Sequence, residues 1–323
     1  MEKKRFYEIL GLFLVLQIII LYILLEPDSR KKYYLNQKDL AKKFLTKSQW
    51  DFLLAANTTL SKEDAEFPSL QELNFLKVYL EQNNVPISAN ETSKRKVLFL
   101  IPYRKRALNL LYFLYYMLTY LQDRGVYHKF LIVEQSGAKK FRRGNLFNAG
   151  VLLAEERFPD FDCFCLHDVD NVPKKIITHY SCLDFGISQL IIGVVGQTEN
   201  SQPEIFFEQL FGGVTMVSKK AFYKVNGMSN SFSGWGGEDD NFRRRADIEK
   251  IPIFRGNQSI FYTIDHPDDR IYDERRFEKQ ELIYVQNTYR KDGLNSALFD
   301  LLAYDETPIF SRAIIKIQSD NIQ

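Results

Sequence analysis

Apolar and polar positions divide the chain into three stretches of different pattern. The first opens with Lys3, Lys4 and Arg5 and continues as an apolar run from Phe6 to Leu25, broken by Glu8 and Gln17. Ile9 to Leu25 is 17 residues, the lower end of the roughly 17–25 that a bilayer-spanning helix needs. The run outlasts the ~7–15-residue apolar core of a cleaved signal peptide, and Glu26-Pro27-Asp28 offers no small-residue cleavage site. The pattern predicts a tail over 1–5 and an uncleaved membrane anchor over 6–25. Arg30, Lys31 and Lys32 lie on the far side and weaken the charge asymmetry that would orient it. Residues 26–94 are polar, lysine-rich and only partly periodic, and read as a stem carrying a helix over Leu70–Gln82.

From residue 95 onward the pattern is that of a folded domain, expected over 95–323. Val97 to Pro102 is a short apolar run suited to a buried strand, and Ala107 to Gln122 has helical length and composition. Lys129 to Gln135 predicts a second strand, Asn145 to Arg157 a second helix, and Phe161 to Leu166 a third strand that ends at His167-Asp168-Val169-Asp170. Strands alternating with helices imply an α/β fold with a mostly parallel central sheet. Ligands of such sheets bind beyond the carboxyl ends of the strands. Here those ends carry Arg104 and Arg106, Glu134 and Gln135, and Asp168 and Asp170.

Composition narrows the class without naming an activity. The 323 residues hold 43 basic and 41 acidic side chains, a net charge of +2, which argues against a nucleic-acid partner. Aromatics at 14% argue against disorder, and three cysteines are too few for a disulfide scaffold. Sequons at Asn57, Asn90 and Asn257, taken with the anchor, point to a lumenal body on a type II membrane protein.

Several constellations carry chemistry. Asp168 and Asp170 stand two apart after a strand, so both carboxylates can face one cation; hard oxygens suit Mg²⁺ or Mn²⁺. A cap or a solvated turn is the plainer alternative. Gly234-Trp235-Gly236-Gly237-Glu238-Asp239-Asp240 is more specific. Its glycines permit unusual backbone, Trp235 offers a face that stacks on a sugar, and one of three adjacent acids can serve as a base with a raised pKa. A flexible acidic turn would account for the acids but not the tryptophan. Phe211-Gly212-Gly213-Val214 is a close-approach turn or a bulge, and Arg104 with Arg106 is a phosphate clamp or an ordinary charged loop. His266 alone would usually be structural. Cys163 and Cys182 bracket the Asp168–Asp170 turn as a possible disulfide, with Cys165 as the competing partner on the same strand face. No Ser-His-Asp order, P-loop, HExxH or GxGxxG pattern is present.

Seven motifs then fall in order: Ile101 to Arg106, Val133 to Gln135, Phe141 to Arg143 with Leu146 to Gly150, His167 to Asp170, Phe211 to Val214, Gly234 to Asp240, and Lys291 to Ser296. From about residue 95 to 318 this resembles the animal β-1,4-galactosyltransferase family. The resemblance implies a GT-A fold, type II Golgi topology, and Mn²⁺-dependent inverting transfer from a UDP-sugar. It implies donor contacts from Pro102, Arg104, Arg106, Phe141, Arg143, Asp168, Val169, Leu210 and Trp235. Asp170 and His266 would bind the metal, and Asp239 would be the base, assisted by Glu238. Gly236, Gly237, Glu238, Asp239, Asp240, Arg276 and Phe277 would hold an N-acetylglucosamine-terminated glycan acceptor, and Cys163 and Cys182 would pair.

Three departures bear on these roles. Thr263 stands where many members carry a further metal ligand, and Ser233 where a second tryptophan is common. Leu210 replaces the tyrosine of galactose-transferring members and leaves room for a donor N-acetyl group. The expectation is therefore a β-1,4-N-acetylgalactosaminyltransferase using UDP-GalNAc. The alternatives are UDP-Gal as donor, a lumenal sugar-binding protein without catalysis, and a metal-dependent phosphohydrolase.

Overall fold

The computed structural model describes residues 67–68, 70–82, 95–122, 124–137, 139–174, 179–195, 203–205, 211–255, 259–264, 271–279 and 287–318. The anchor, most of the stem, the three sequon asparagines, Leu210 and His266 lie outside the described residues. No described helix is long and apolar enough to cross a membrane.

In chain order the elements are α1 (Leu70–Gln82), β1 (Lys96–Tyr103), α2 (Ala107–Gln122), β2 (Tyr127–Gln135), α3 (Arg143–Arg157), β3 (Cys163–His167) and β4 (Asn171–Pro173). There follow β5 (Ile187–Gln189), β6 (Gly193–Val195), β7 (Pro203–Ile205), β8 (Val214–Ser218), α4 (Lys219–Lys224), α5 (Glu238–Ile248), β9 (Ile253–Arg255), β10 (Ile260–Thr263), β11 (Phe299–Glu306) and β12 (Phe310–Ile317). Helices α1 and α2 form over the residues expected of them; the strands differ from expectation by a residue or two at their ends.

The apolar run of β1 is buried on both faces because side chains alternate across it. Leu98 and Leu100 join Leu146, Phe147 and Val151 of α3 in one core. Phe99 turns the other way, its ring 5.1 Å from and tilted against Phe130, which meets Phe113 of α2 at 5.6 Å. Each helix thus covers one face of the sheet.

Eight strands lie in the order β11-β12-β2-β1-β3-β8-β5-β9. The pairs β12/β2, β2/β1, β1/β3 and β5/β9 are parallel, whereas β11/β12, β3/β8 and β8/β5 are antiparallel. The sheet is mixed, with four parallel and three antiparallel pairings. Only β1, β2 and β3 are joined by long helices, the usual requirement of a parallel crossover. After β3 the chain builds a second sheet, β4-β10-β6-β7, and β8 returns beside β3 in the opposite direction.

The segment read as stem is in part structural. Leu76 and Leu80 of α1 are fully buried, and α1 packs on α2. Phe67 lies edge-on to Tyr103 at 5.4 Å and to Phe310 at 6.0 Å, beneath the Arg312 guanidinium. The folded body therefore takes in residues before 95. Cys163 and Cys182 form a disulfide, tying the start of β3 to the loop before β5, and Cys165 is a buried free thiol.

Candidate active site

Arg104 and Arg106 follow β1, Asp168 to Asp170 follow β3, and Glu238 to Asp240 form the first turn of α5. These three ends converge on a cleft of about 550 Å³. Every expected donor, acceptor, metal and catalytic residue that is described lines it: Pro102, Arg104, Arg106, Phe141, Arg143, Asp168, Val169, Asp170, Trp235, Gly236, Gly237, Glu238, Asp239, Asp240, Arg276 and Phe277. Phe211, Gly234 and Ile271 complete the wall.

The cleft is organised around the partly buried guanidinium of Arg143. Arg143 donates from Nε to Asp168 Oδ1 at 2.7 Å, from Nη2 to Asp168 Oδ2 at 3.2 Å, and from Nη1 to Glu238 Oε1 at 3.3 Å. Burial opposes its charge, but Asp168, Glu238 and Asp239 hold its pKa above the ordinary arginine value. Expected as a nucleotide contact, Arg143 also joins the β3 end to the start of α5. Burial pushes Asp168 up to about 6 against the pull of Arg143, with Asp170 and Glu238 adding to the rise. Asp239 is raised well above the usual carboxylate range, first by burial and then by Glu238. A base so shifted matches proton transfer nearer neutral pH. Glu238 Oε2 is buried without a hydrogen-bond partner among the described residues, an oxygen ready for a ligand donor.

Asp239 has its place because of a glycine. At Gly212, φ is +122°, and a Cβ built there would stand 2.2 Å from Asp239 Oδ2. The Phe211-Gly212-Gly213 turn is thus a close approach under the proposed base. Gln189 holds it, donating to Gly212 O at 2.7 Å and accepting from Gly212 N at 3.2 Å. Nothing in the sequence signals Gln189, a lone glutamine in a three-residue strand.

Ile271–Asp273 clamps the glycine-rich loop. Trp235 N donates to Ile271 O at 2.6 Å, and Trp235 O accepts from Asp273 N at 3.1 Å. Buried Asp273 also accepts from Ser233 N at 2.9 Å and from Lys279 Nζ at 2.6 Å. Trp235 remains half-exposed, its ring 5.1 Å from Tyr272, and Arg276 lies over the Tyr272 and Phe277 rings. This leaves an aromatic rim suited to a sugar face.

Some expected ligand-facing groups have structural work instead. Glu134 pairs with Arg312 at 2.7 Å. Gln135 accepts from Arg142 N at 2.8 Å and donates to Lys140 O at 3.1 Å, holding the loop that carries Phe141. The Lys291–Ser296 motif ties the back of α5: Asp292 accepts from Asn230 N at 2.7 Å and from buried Arg245 at 3.4 Å. His167, directly before the acidic turn, is buried between Tyr180, whose hydroxyl meets Nε2 at 2.9 Å, and the Asp168 carbonyl, which accepts from Nδ1 at 2.8 Å. Burial pushes its pKa down to about 4. Among the described residues no three acidic, histidine or cysteine side chains gather as a metal site.

Comparison with known proteins agrees with this arrangement. The profile described as the N-terminal region of glycosyl transferase group 7 matches residues 55–183, and that described as the N-terminal domain of galactosyltransferase matches 194–267. β-1,4-Galactosyltransferase 4 of Cricetulus griseus is 34% identical over 68% of this chain and 63% of its own length. β-1,4-Galactosyltransferase 1 of Bos taurus is 30% identical over 77% of this chain and 63% of its own. The chain thus spans somewhat under two thirds of these curated relatives. The catalytic domain of Drosophila β-1,4-galactosyltransferase 7, solved with xylobiose, has a TM-score of 0.58 at 26% identity, covering 70% of this chain and 95% of that one. A mutant of that enzyme, solved with manganese, UDP-Gal and xylobiose, gives 0.57 at 23% identity over the same shares, a likeness of fold. The mixed sheet is that of a GT-A-like fold, and with two profiles of one family matching more than half its length, the chain belongs to glycosyltransferase group 7.

Proposed function

We propose that this chain is an inverting β-1,4-glycosyltransferase that moves N-acetylgalactosamine from UDP-GalNAc to terminal N-acetylglucosamine of glycoprotein or glycolipid glycans. The observation that carries the reading is the buried Asp168–Arg143–Glu238 bridge with Asp239 beside it, which sets a donor wall and an acceptor wall in one cleft. Leu210 supports the N-acetylated donor by the space it leaves. A second reading, UDP-Gal as donor, has the names of the relatives in its favour. Turnover of the protein with each donor decides between them: a strong galactose preference overturns the first, and Leu210→Tyr is expected to shift preference toward galactose.

Asp168 and Asp170 offer hard oxygen donors at the cleft wall, a donor set that fits Mn²⁺; Asp170 and His266 would hold it. When bound, the ion would neutralise charge on the departing diphosphate. The protein's own groups do the rest. Arg104 and Arg106 attract the diphosphate, and Trp235 with the aromatic rim orients the sugars and excludes water. Asp239 accepts the proton from the acceptor 4-hydroxyl as its oxygen bonds to the anomeric carbon. The bond from that carbon to the UDP oxygen breaks on the opposite face, inverting the centre. Glu238 Oε2 accepts from a second acceptor donor and fixes its orientation. The apolar run over 6–25 and the sequons at Asn57, Asn90 and Asn257 support a type II anchor in the Golgi membrane with the body in the lumen.

A further inference from the structure

Thr263 occupies a position where the family resemblance led us to expect a metal ligand, and its hydroxyl has a different partner. β10 and β4 run antiparallel with Thr263 directly opposite Asn171. Thr263 Oγ1 donates to Asn171 Oδ1 at 3.3 Å, and Asn171 Nδ2 donates to Asp170 Oδ1 at 2.9 Å. Chemistry fixes the amide orientation. The amide nitrogen can only donate and faces the Asp170 carboxylate, which leaves the amide carbonyl to accept from the Thr263 hydroxyl. Asn171 is 8% exposed, so water competes weakly for these bonds. The backbone repeats the link: Ile264 N donates to Asp170 O at 2.6 Å, and Asn109 Nδ2 donates to Ile264 O at 3.2 Å.

We infer that Thr263 and Asn171 are positioning residues that set the rotation of the Asp170 carboxylate toward the cation, with Thr263 acting through Asn171 and not as a ligand. This rests on the manganese reading above. A relay has an energetic signature that a direct ligand lacks. Removing the middle member disconnects the outer one, so the two substitutions are not additive.

The test is Mn²⁺ affinity of the full chain with saturating UDP, read from the electron paramagnetic resonance of free Mn²⁺ without turnover, beside thermal melting. Asn171→Leu is expected to weaken binding about tenfold. Thr263→Val should weaken it roughly threefold, the scale of one hydrogen bond, and Thr263→Ser should stay near wild type. Thr263→Val in the Asn171→Leu background should add nothing. An equal loss in both backgrounds, or none in Thr263→Val, overturns the relay while leaving the manganese reading intact. If Asn171→Leu does not fold, equal affinity in Thr263→Val and Thr263→Ser overturns it alone. Wild type that binds no Mn²⁺ overturns both.

Discussion

Asp239 and Gly212 illustrate how one atom of space sets the chemistry at the residue scale. Asp239 sits in a buried, acid-rich site at the start of α5, where desolvation and Glu238 raise its pKa. Asp239→Asn keeps the shape and removes the base, and should lower kcat by about 10²–10⁴-fold with little change in melting temperature. Because the carboxylate must be ionised to accept a proton, kcat/KM should climb with pH along a limb displaced above the ordinary carboxylate range. Asp239→Asn should flatten that limb, and a limb unchanged in the variant would remove Asp239 from the role of base. Gly212→Ala would place a methyl against Asp239 Oδ2 and force φ +122° on a residue with a Cβ. A loss of about 1–3 kcal/mol in stability is expected, with kcat falling as Asp239 is displaced. Unchanged kinetics and melting would show that the turn is not a fitted seat for the base.

Among the elements, α1 and Phe67, three residues ahead of it, change what counts as the folded body. Phe67 packs on Tyr103, the last residue of β1, and the Tyr103 hydroxyl accepts from Arg106 N at 3.1 Å. An apolar contact outside the strand-and-helix core thus steadies the loop that carries Arg104 and Arg106. Phe67→Ala should cost about 2 kcal/mol, less than a fully buried phenylalanine, and should raise KM for the donor more than it lowers kcat. A melting change without a KM change would confine Phe67 to stability. Helical length and apolar, aromatic composition made α2 legible in the sequence, and the runs over β1, β2 and β3 were legible because strands buried on both faces are continuously apolar. The mixed sheet was not, since direction is set by long-range pairing of strands as short as β5 and β9, which carry no local mark of parallel or antiparallel. Nor was the packing of α1, whose pattern fits a solvated helix as well as a docked one.

Across the whole molecule, the net charge of +2 averages over a cleft in which unlike charges are buried together. Its residues were legible because the motifs that carry them are compact, while their partners were not: Gln189, Asp273 and Asn171 act through tertiary contacts that leave no local pattern. Arg143 joins the two classes, since its motif was visible but its bond to Glu238, 95 residues away, was not. If its main work is to compensate Asp168 and Glu238, Arg143→Ala leaves the buried Glu238 and the partly exposed Asp168 without their cation, a loss of about 3 kcal/mol near pH 8. The sign of the pH dependence follows. Asp168 is already raised to about 6 in the folded state, above the ordinary carboxylate range, and losing Arg143 raises it further. Protonation of Asp168 therefore relieves the variant as pH falls, and the penalty should shrink between pH 8 and about 6, where Asp168 also protonates in the wild type. Denaturant unfolding of wild type and variant across pH 4–8 measures this directly. A penalty constant with pH would mean that Arg143 contributes packing, against the Phe147 ring 4.9 Å away, and not the charge that joins the two walls of the cleft.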